Sequence, residues 1–153
     1  MSDLPIIELR RIEANIVKPI FEELVTELGN ERAEAILDRA IRNDAIAQAQ
    51  SLASENPPRS LADFAKLLER WTASDALVLD VQAQSEEQLD FNVTRCQYSE
   101  MYREMGLESI GHLLSCNRDG AFCEGYDERL TLERTQTLMG GATHCDFRYR
   151  FLT

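Results

Sequence analysis

The stretch "LTLERTQTLMGGATHCDFRYRFLT", Leu130 to Thr153, decides the fold class. Its arms, "LTLERTQTLM" and "CDFRYRFLT", alternate apolar and polar residues with the period of two that a half-buried strand requires. Between them lies "GGATH", whose glycines tolerate the positive φ of a turn. The pattern predicts an antiparallel hairpin turning over Gly140 to Thr143, with Glu133 opposite Arg150 and Leu132 opposite Phe151. One face then carries Leu132, Arg134, Gln136 and Leu138 across from Phe151, Tyr149, Phe147 and Cys145. A cation among such neighbours is costly unless an anion meets it, so Arg134 requires a carboxylate, either a glutamate or aspartate from the helical half of the chain or that of a ligand.

Upstream, "ALVLDV" and "QLDFNVTRC" are rich in β-branched and large apolar residues and flank the polar "QAQSEE", which predicts two more strands joined by a turn. Between these strands and the hairpin, "YSEMYREMG" and "LESIGHLLSC" have helical spacing with a stop at Gly106, and Asn117 to Tyr126 continues or kinks the second helix. The first half of the chain is helical throughout. Ile6, Leu9, Ile12, Ile16, Ile20 and Leu24 recur every three or four positions from Pro5 to about Leu28, with Pro19 expected to bend the helix. Gly29-Asn30 stops it, and "ERAEAILDRAIRNDAIAQAQSLA" resumes the period. Pro57-Pro58 breaks the chain again, Ser60 is a candidate N-cap, and Leu61, Phe64, Leu67, Leu68 and Trp71 mark a third helix. The sum is an α+β protein in one domain over 1–153: a helical part at about 1–74, then a mixed part at about 75–153 with an antiparallel sheet interrupted by helices.

With 44% hydrophobic and 28% charged residues the composition is that of a folded chain, and at 153 residues it buries roughly 70% of the surface exposed when unfolded. A net charge of -11 argues against nucleic acid as a partner. No membrane-length apolar run and no secretory leader stand out, which predicts a soluble cytoplasmic protein that does not engage membranes; a homo-oligomer is left open. The four cysteines, Cys96, Cys116, Cys123 and Cys145, lack CxxC spacing and are expected as reduced thiols.

Chemistry-bearing residues gather in two places. His144, Cys145 and Asp146 follow the glycine loop, although neighbours on a strand point to opposite faces and so do not automatically form a dyad. Cys145 can equally be a small buried hydrophobe beside Phe147, while histidine is the usual proton shuttle near neutral pH. In "SCNRDGAFC", regular helical spacing places His112, Cys116, Asp119 and Cys123 on one stripe, a set of side chains that could bind zinc. Structural zinc sites bring two close-spaced ligand pairs, whereas Cys96, Cys116 and Cys145 come from separate elements, so no cofactor is expected and zinc is the lesser alternative. Gly-rich phosphate loops, HExxH and GxSxG are absent from the sequence.

The words "FNVTRCQYSEMYREMGL", "LLSCNRD", "EGY" and "RTQTLMGGATHCDFRYRF" resemble, in order from Phe91 to Phe151, those of the L-2-amino-thiazoline-4-carboxylic acid hydrolase family. The resemblance implies hydrolytic opening of 2-amino-thiazoline-4-carboxylate to N-carbamoyl-cysteine, on a bacterial route to cysteine. More broadly it implies a hydrolase of carbon–nitrogen bonds or cyclic amidines acting on a small-molecule carboxylate. By the matching words, the site residues it implies are Cys96, Cys116, Asn117, Arg118, Asp119, Arg134, Thr135, Thr137, His144, Cys145, Asp146 and Arg148. Within that set His144 would serve as general acid or base and Cys116 is the candidate nucleophile. Asp119 or Asp146 would pair with the amidine-like nitrogens, and Arg134 or Arg148 would clamp the carboxylate. Two other readings use the same residues: a non-catalytic binding or sensing domain, and a zinc-stabilised interaction module.

Overall fold

Cys145, Phe147, Tyr149 and Phe151 point inward along one strand while the residues between them face outward, and the sheet is assembled around that strand. The computed structural model describes residues 4–152. Helices α1 (Ile6–Leu28), α2 (Asn30–Glu55) and α3 (Leu61–Thr72) precede strands β1 (Leu77–Gln84) and β2 (Gln88–Cys96). Then follow α4 (Gln97–Glu104), a π-helical turn at His112–Cys116, α5 (Asn117–Tyr126), β3 (Leu130–Glu133) and β4 (Cys145–Phe151). The sheet is antiparallel in the order β1-β2-β4-β3, so the α+β architecture expected from the sequence is the one observed.

The sheet's inner face carries Leu89, Phe91 and Val93 beside the inward residues of β4, and it packs with Leu61 and Phe64 of α3 and Phe122 and Tyr126 of α5 in one apolar cluster. Its outer face is a polar lattice. Arg150 Nη1 donates to Asp90 Oδ1 at 2.5 Å, and Arg148 Nη2 donates to Asn92 Oδ1 at 3.0 Å. A second cluster joins Ile6, Ile7, Ala14 and Phe21 of α1 to Tyr98, Met101 and Tyr102 of α4. Ser60 caps α3 by accepting from Ala62 N at 3.2 Å, and Gly106 takes a φ of 75° just past the end of α4, as the sequence predicts.

Four expectations require correction. Along α1 the buried side chains are Ile6, Ile7, Arg10, Ala14 and Phe21, whereas Ile12, Ile16 and Ile20 are more than half exposed. Two apolar stripes run along this helix on opposite sides, and periodicity alone does not say which faces the core. The hairpin is shorter than predicted, because β3 ends at Glu133 and 134–144 form a loop rather than a tight turn. Leu132 pairs with Tyr149 and Glu133 with Arg148, a slip of two positions from the predicted register, which preserves the faces. The strand stops because the Asp146 carboxylate accepts from the backbone N–H of Thr135 at 2.8 Å and of Gln136 at 2.9 Å, replacing the ladder bonds. Finally, "LESIGHLLSC" does not form a regular helix; the wider π-turn moves His112 out to solvent and breaks the proposed stripe.

The helical half docks on the rest where α5 lies against α2. A Cβ at Gly125 would run into the Ile46 carbonyl, so only glycine lets the two backbones approach this closely, whereas Gly120 on the same helix faces open space. Gly125→Ala is therefore expected to destabilise the protein by about 1–3 kcal/mol through forced backbone separation. Gly120→Ala should instead stabilise it by about 0.5–1 kcal/mol. Denaturant melts of the two variants, read against wild type, test the pair; equal effects would remove the close approach as the reason.

Candidate active site

A cavity of about 100 Å³ lies where the two apolar clusters meet, walled by Phe91, Phe147 and Tyr149 from the sheet, Phe64 and Trp71 from α3, and Tyr98 and Tyr102 from α4. That volume is in the range that admits a small ring. Set into these walls are Arg10, Arg118 and Arg134, the carboxylate of Asp119, and the thiols of Cys96, Cys116 and Cys145.

Arg134 reaches the cavity because its chain leaves the sheet one residue earlier. Its Nη1 donates to Asp119 Oδ2 at 2.7 Å and its Nη2 to the Cys116 carbonyl at 2.9 Å, with the guanidinium carbon 5.0 Å from the Phe147 ring centre. The carboxylate that Arg134 requires thus comes from α5, not from the helical half of the chain or from a ligand as the sequence suggested. Burial pushes the Asp119 carboxyl above the ordinary aspartate value of 3.8, against the pull of Arg134. Burial also works against the charge on Arg134, but Asp119 outweighs it and holds the guanidinium above its ordinary value. Asp119 keeps 30% of its side-chain surface and lines the cavity.

All four cysteines are free thiols. Burial, helped by the neighbouring Asp119 carboxylate, pushes Cys116 up to about 12, and burial likewise raises Cys96 and Cys145. Cys116 therefore rests as a thiol at neutral pH, not as the thiolate that nucleophilic attack requires. Cys96 also has a structural task, capping α4 by accepting from Ser99 N at 3.4 Å.

Six of the residues singled out in the sequence line the cavity: Cys96, Cys116, Arg118, Asp119, Arg134 and Cys145. The others lie elsewhere. Asn117 donates to Asp38 on α2 at 3.0 Å, and Thr137 accepts from Gly140 N at 3.0 Å within the loop. Arg148 belongs to the polar outer face, donating to the Phe91 carbonyl at 3.1 Å. Asp146 binds the Thr135 hydroxyl as well as the two backbone N–H groups. His144 lies on the loop, its Nδ1 at 3.0 Å from the Thr143 hydroxyl and its carbonyl accepting from Gln136 Nε2 at 3.0 Å. Alternation explains the split: Cys145 faces in, so His144 and Asp146 do not. Among the described residues no group of three or more His, Cys, Asp or Glu side chains is gathered as a metal ion would need.

Sequence reasoning missed Arg10, which enters the cavity from the stripe of α1 that proves to be buried, and also Tyr98 and Tyr102. Tyr98 donates to the Trp71 carbonyl at 3.0 Å, while the hydroxyls of Tyr102 and Ser115 lie 2.6 Å apart. Burial pushes Tyr102 up to about 12, so it stays a neutral phenol. Tyr98 and Tyr102 lie within the resembling word from Phe91 to Leu107, but nothing in it marks them as cavity residues, because α4 reads simply as an amphipathic helix.

Taken together, the fold and cavity define an α+β domain that encloses a small-molecule-sized site with an ion pair in its wall. The chain belongs to the L-2-amino-thiazoline-4-carboxylic acid hydrolase family, whose model matches residues 9–149. No curated protein matches it in sequence. Among solved structures it is similar to the phenol-responsive sensory domain of the transcription activator PoxR with phenol, at a TM-score of 0.53 and 14% identity over 99% of this chain and 76% of that one. It is also similar to a trafficking protein particle complex subunit 3 from Naegleria fowleri covalently bound to palmitic acid, at a TM-score of 0.52 and 12% identity over 94% and 97% of the two chains. These two likenesses are of fold. No helix among the described residues is long and apolar enough to cross a membrane.

Two predictions follow from this geometry. Arg134→Met should strand the Asp119 carboxyl and cost about 3 kcal/mol of stability, and adding Asp119→Asn should restore at least half of it. Denaturant melts of the two single variants and the double variant measure the coupling. Asp146, by contrast, is held below 3.8: burial opposes its charge, but the bonds from Thr135 and Gln136 prevail. Its stabilisation is then fully present above the unfolded carboxyl's 3.8 and is lost as pH falls through the lower folded value. Asp146→Asn should cost about 1 kcal/mol at pH 7, and the gap to wild type should close as pH falls towards 2 in melts taken across that range.

Proposed function

We propose that the cavity hydrolyses a cyclic amidine, with 2-amino-thiazoline-4-carboxylate, the compound in the family's name, as the leading substrate and N-carbamoyl-cysteine as its product. The observation that carries this reading is Asp119, a partly accessible carboxylate that lines an apolar cavity and is held by Arg134. Burial makes Asp119 a stronger base than a solvated aspartate, while the ion pair keeps it charged and aimed.

In the proposed reaction Asp119 takes a proton from water as the water oxygen bonds to ring C2, and the proton passes to the ring nitrogen. Collapse of the tetrahedral intermediate forms the carbonyl, breaks the C2–S bond and sends the remaining hydroxyl proton to the departing sulfur. Direct water attack is favoured over a cysteinyl intermediate because Cys116 rests protonated. Cys116 and Cys96 then contribute to the walls that hold the ring.

A second reading, ligand binding without turnover, is supported by the predominance of aromatic rings in the cavity wall and by the fold likeness to a phenol-responsive sensory domain. Incubation with 2-amino-thiazoline-4-carboxylate in ¹⁸O-water separates the two. Hydrolysis should release one thiol per turnover and place a single ¹⁸O in the carbamoyl product. Asp119→Asn should lower kcat by about 10²–10⁴-fold. Since the base must be ionised, kcat/KM should rise with pH through a value above 3.8, the ordinary aspartate pKa. Saturable binding with no thiol released would instead establish the sensing reading.

A further inference from the structure

We propose that Arg10, on α1, is the receptor for the ligand's carboxylate. The assignment rests on the cavity being the binding site, and it moves the anion-binding role away from both arginines that the sequence suggested. Arg148 lies on the outer face of the sheet, and Arg134 is committed to Asp119 and the Cys116 carbonyl. Arg118 commits Nη2 to both Asp44 at 2.7 Å and Gln48 at 3.2 Å, and its other two nitrogens, Nε and Nη1, do not share the donor edge that a carboxylate bridges.

Arg10 differs from these. Only 5% of its surface is exposed, yet its sole side-chain partner among the described residues is Glu13, one turn along the same helix, bonded through Nη1 at 3.0 Å. Among the described residues Nε and Nη2 have no acceptor, and none of these residues leaves a fully buried side-chain nitrogen or oxygen unpaired, so these donors keep access to open space. Arg10 lines the cavity, which offers that space. From there its charge favours the ionised forms of Tyr98 and Tyr102 on α4 and of Asp119 on α5, which places the guanidinium within electrostatic reach of the cavity's far wall.

Charge balance points to an anionic ligand as well. Three guanidiniums line the cavity against one carboxylate, Asp119. The partners of the other two arginines, Glu13 and Asp44, are 51% and 65% exposed, so water screens them far more than it screens the arginines they bind. A chain of net charge -11 thus encloses a locally cationic cavity. Nε and Nη2 lie on one edge of the guanidinium and suit the two oxygens of a carboxylate. A small ring that places its carboxylate on Arg10 while its amidine carbon meets Asp119 would use both charges.

The test is calorimetric titration with 2-aminothiazole-4-carboxylate and its neutral carboxamide, aromatic rings that lack the hydrolysable thiazoline. Wild type should prefer the carboxylate by roughly 10- to 100-fold. Arg10→Met should abolish that preference with carboxamide affinity unchanged, and Arg10→Lys should keep part of it. Glu13 is exposed, and Glu13→Gln frees Arg10 without burying anything, so it should tighten carboxylate binding alone, by about two- to fivefold. This second variant decides the matter if Arg10→Met does not fold. Preference retained in Arg10→Met, equal loss for both probes, no change in Glu13→Gln, or a wild type that binds the probes equally or not at all would each overturn the receptor. Because neither probe turns over, absence of hydrolysis leaves the comparison intact, and hydrolysis with no role for Arg10 leaves the enzyme reading standing.

Discussion

The 2.7 Å bond between Arg134 and Asp119 joins the two parts of the chain that must meet for the cavity to exist. Arg134 begins the long loop after β3, and Asp119 stands on the helix that packs against α2. Neither charge belongs among aromatic rings alone, because desolvation of each is worth several kcal/mol. Together they are tolerated, and the geometry that makes them tolerable also fixes the loop over the cavity. The second guanidinium bond, to the Cys116 carbonyl, ties the same loop to the end of the π-turn. An apolar contact of equal area would leave the loop free to slide; a paired charge does not, since each small displacement exposes an unmet ion.

Burial sets the protonation pattern around the pair. Burial and the Asp119 carboxylate keep Cys116 a thiol, burial keeps Tyr102 a phenol, and Asp119 itself becomes more basic than it would be in water. Basicity is thereby concentrated in one carboxylate rather than spread over several nucleophiles. A cavity whose one carboxylate among the described residues is held by an arginine fits the proposed attack of water on an electron-poor carbon. The free edge of Arg10 gives such a site an electrostatic polarity along which an anionic ring can be oriented.

Much of the architecture was legible in the residues themselves. Helix stops at Gly29 and Gly106, the N-cap at Ser60 and the inward alternation of Cys145 to Phe151 are local consequences of φ preference, capping and the two-residue strand period, and each recurs in the structure. Less legible was the end of β3, because a single aspartate opposite Thr135 diverts the strand by offering its side chain to two backbone donors. The sequence shows the aspartate but not what it faces.

What the sequence by itself determined, then, is the class of fold, the family, and the requirement that Arg134, on an apolar face, meet an anion; which carboxylate meets it and which cysteines converge on it are set by the packing of α5 and the loop after β3. Tertiary structure alone decided which of two apolar stripes on α1 is buried, and with it whether Arg10 faces water or ligand. It also decided that His144 and Arg148 stand outside the cavity while Tyr98 and Tyr102 stand within. The physical reason is the same in each case. Periodicity is a property of one element and specifies how side chains are spaced around it, whereas the direction each face points depends on what packs against it from segments distant in the chain.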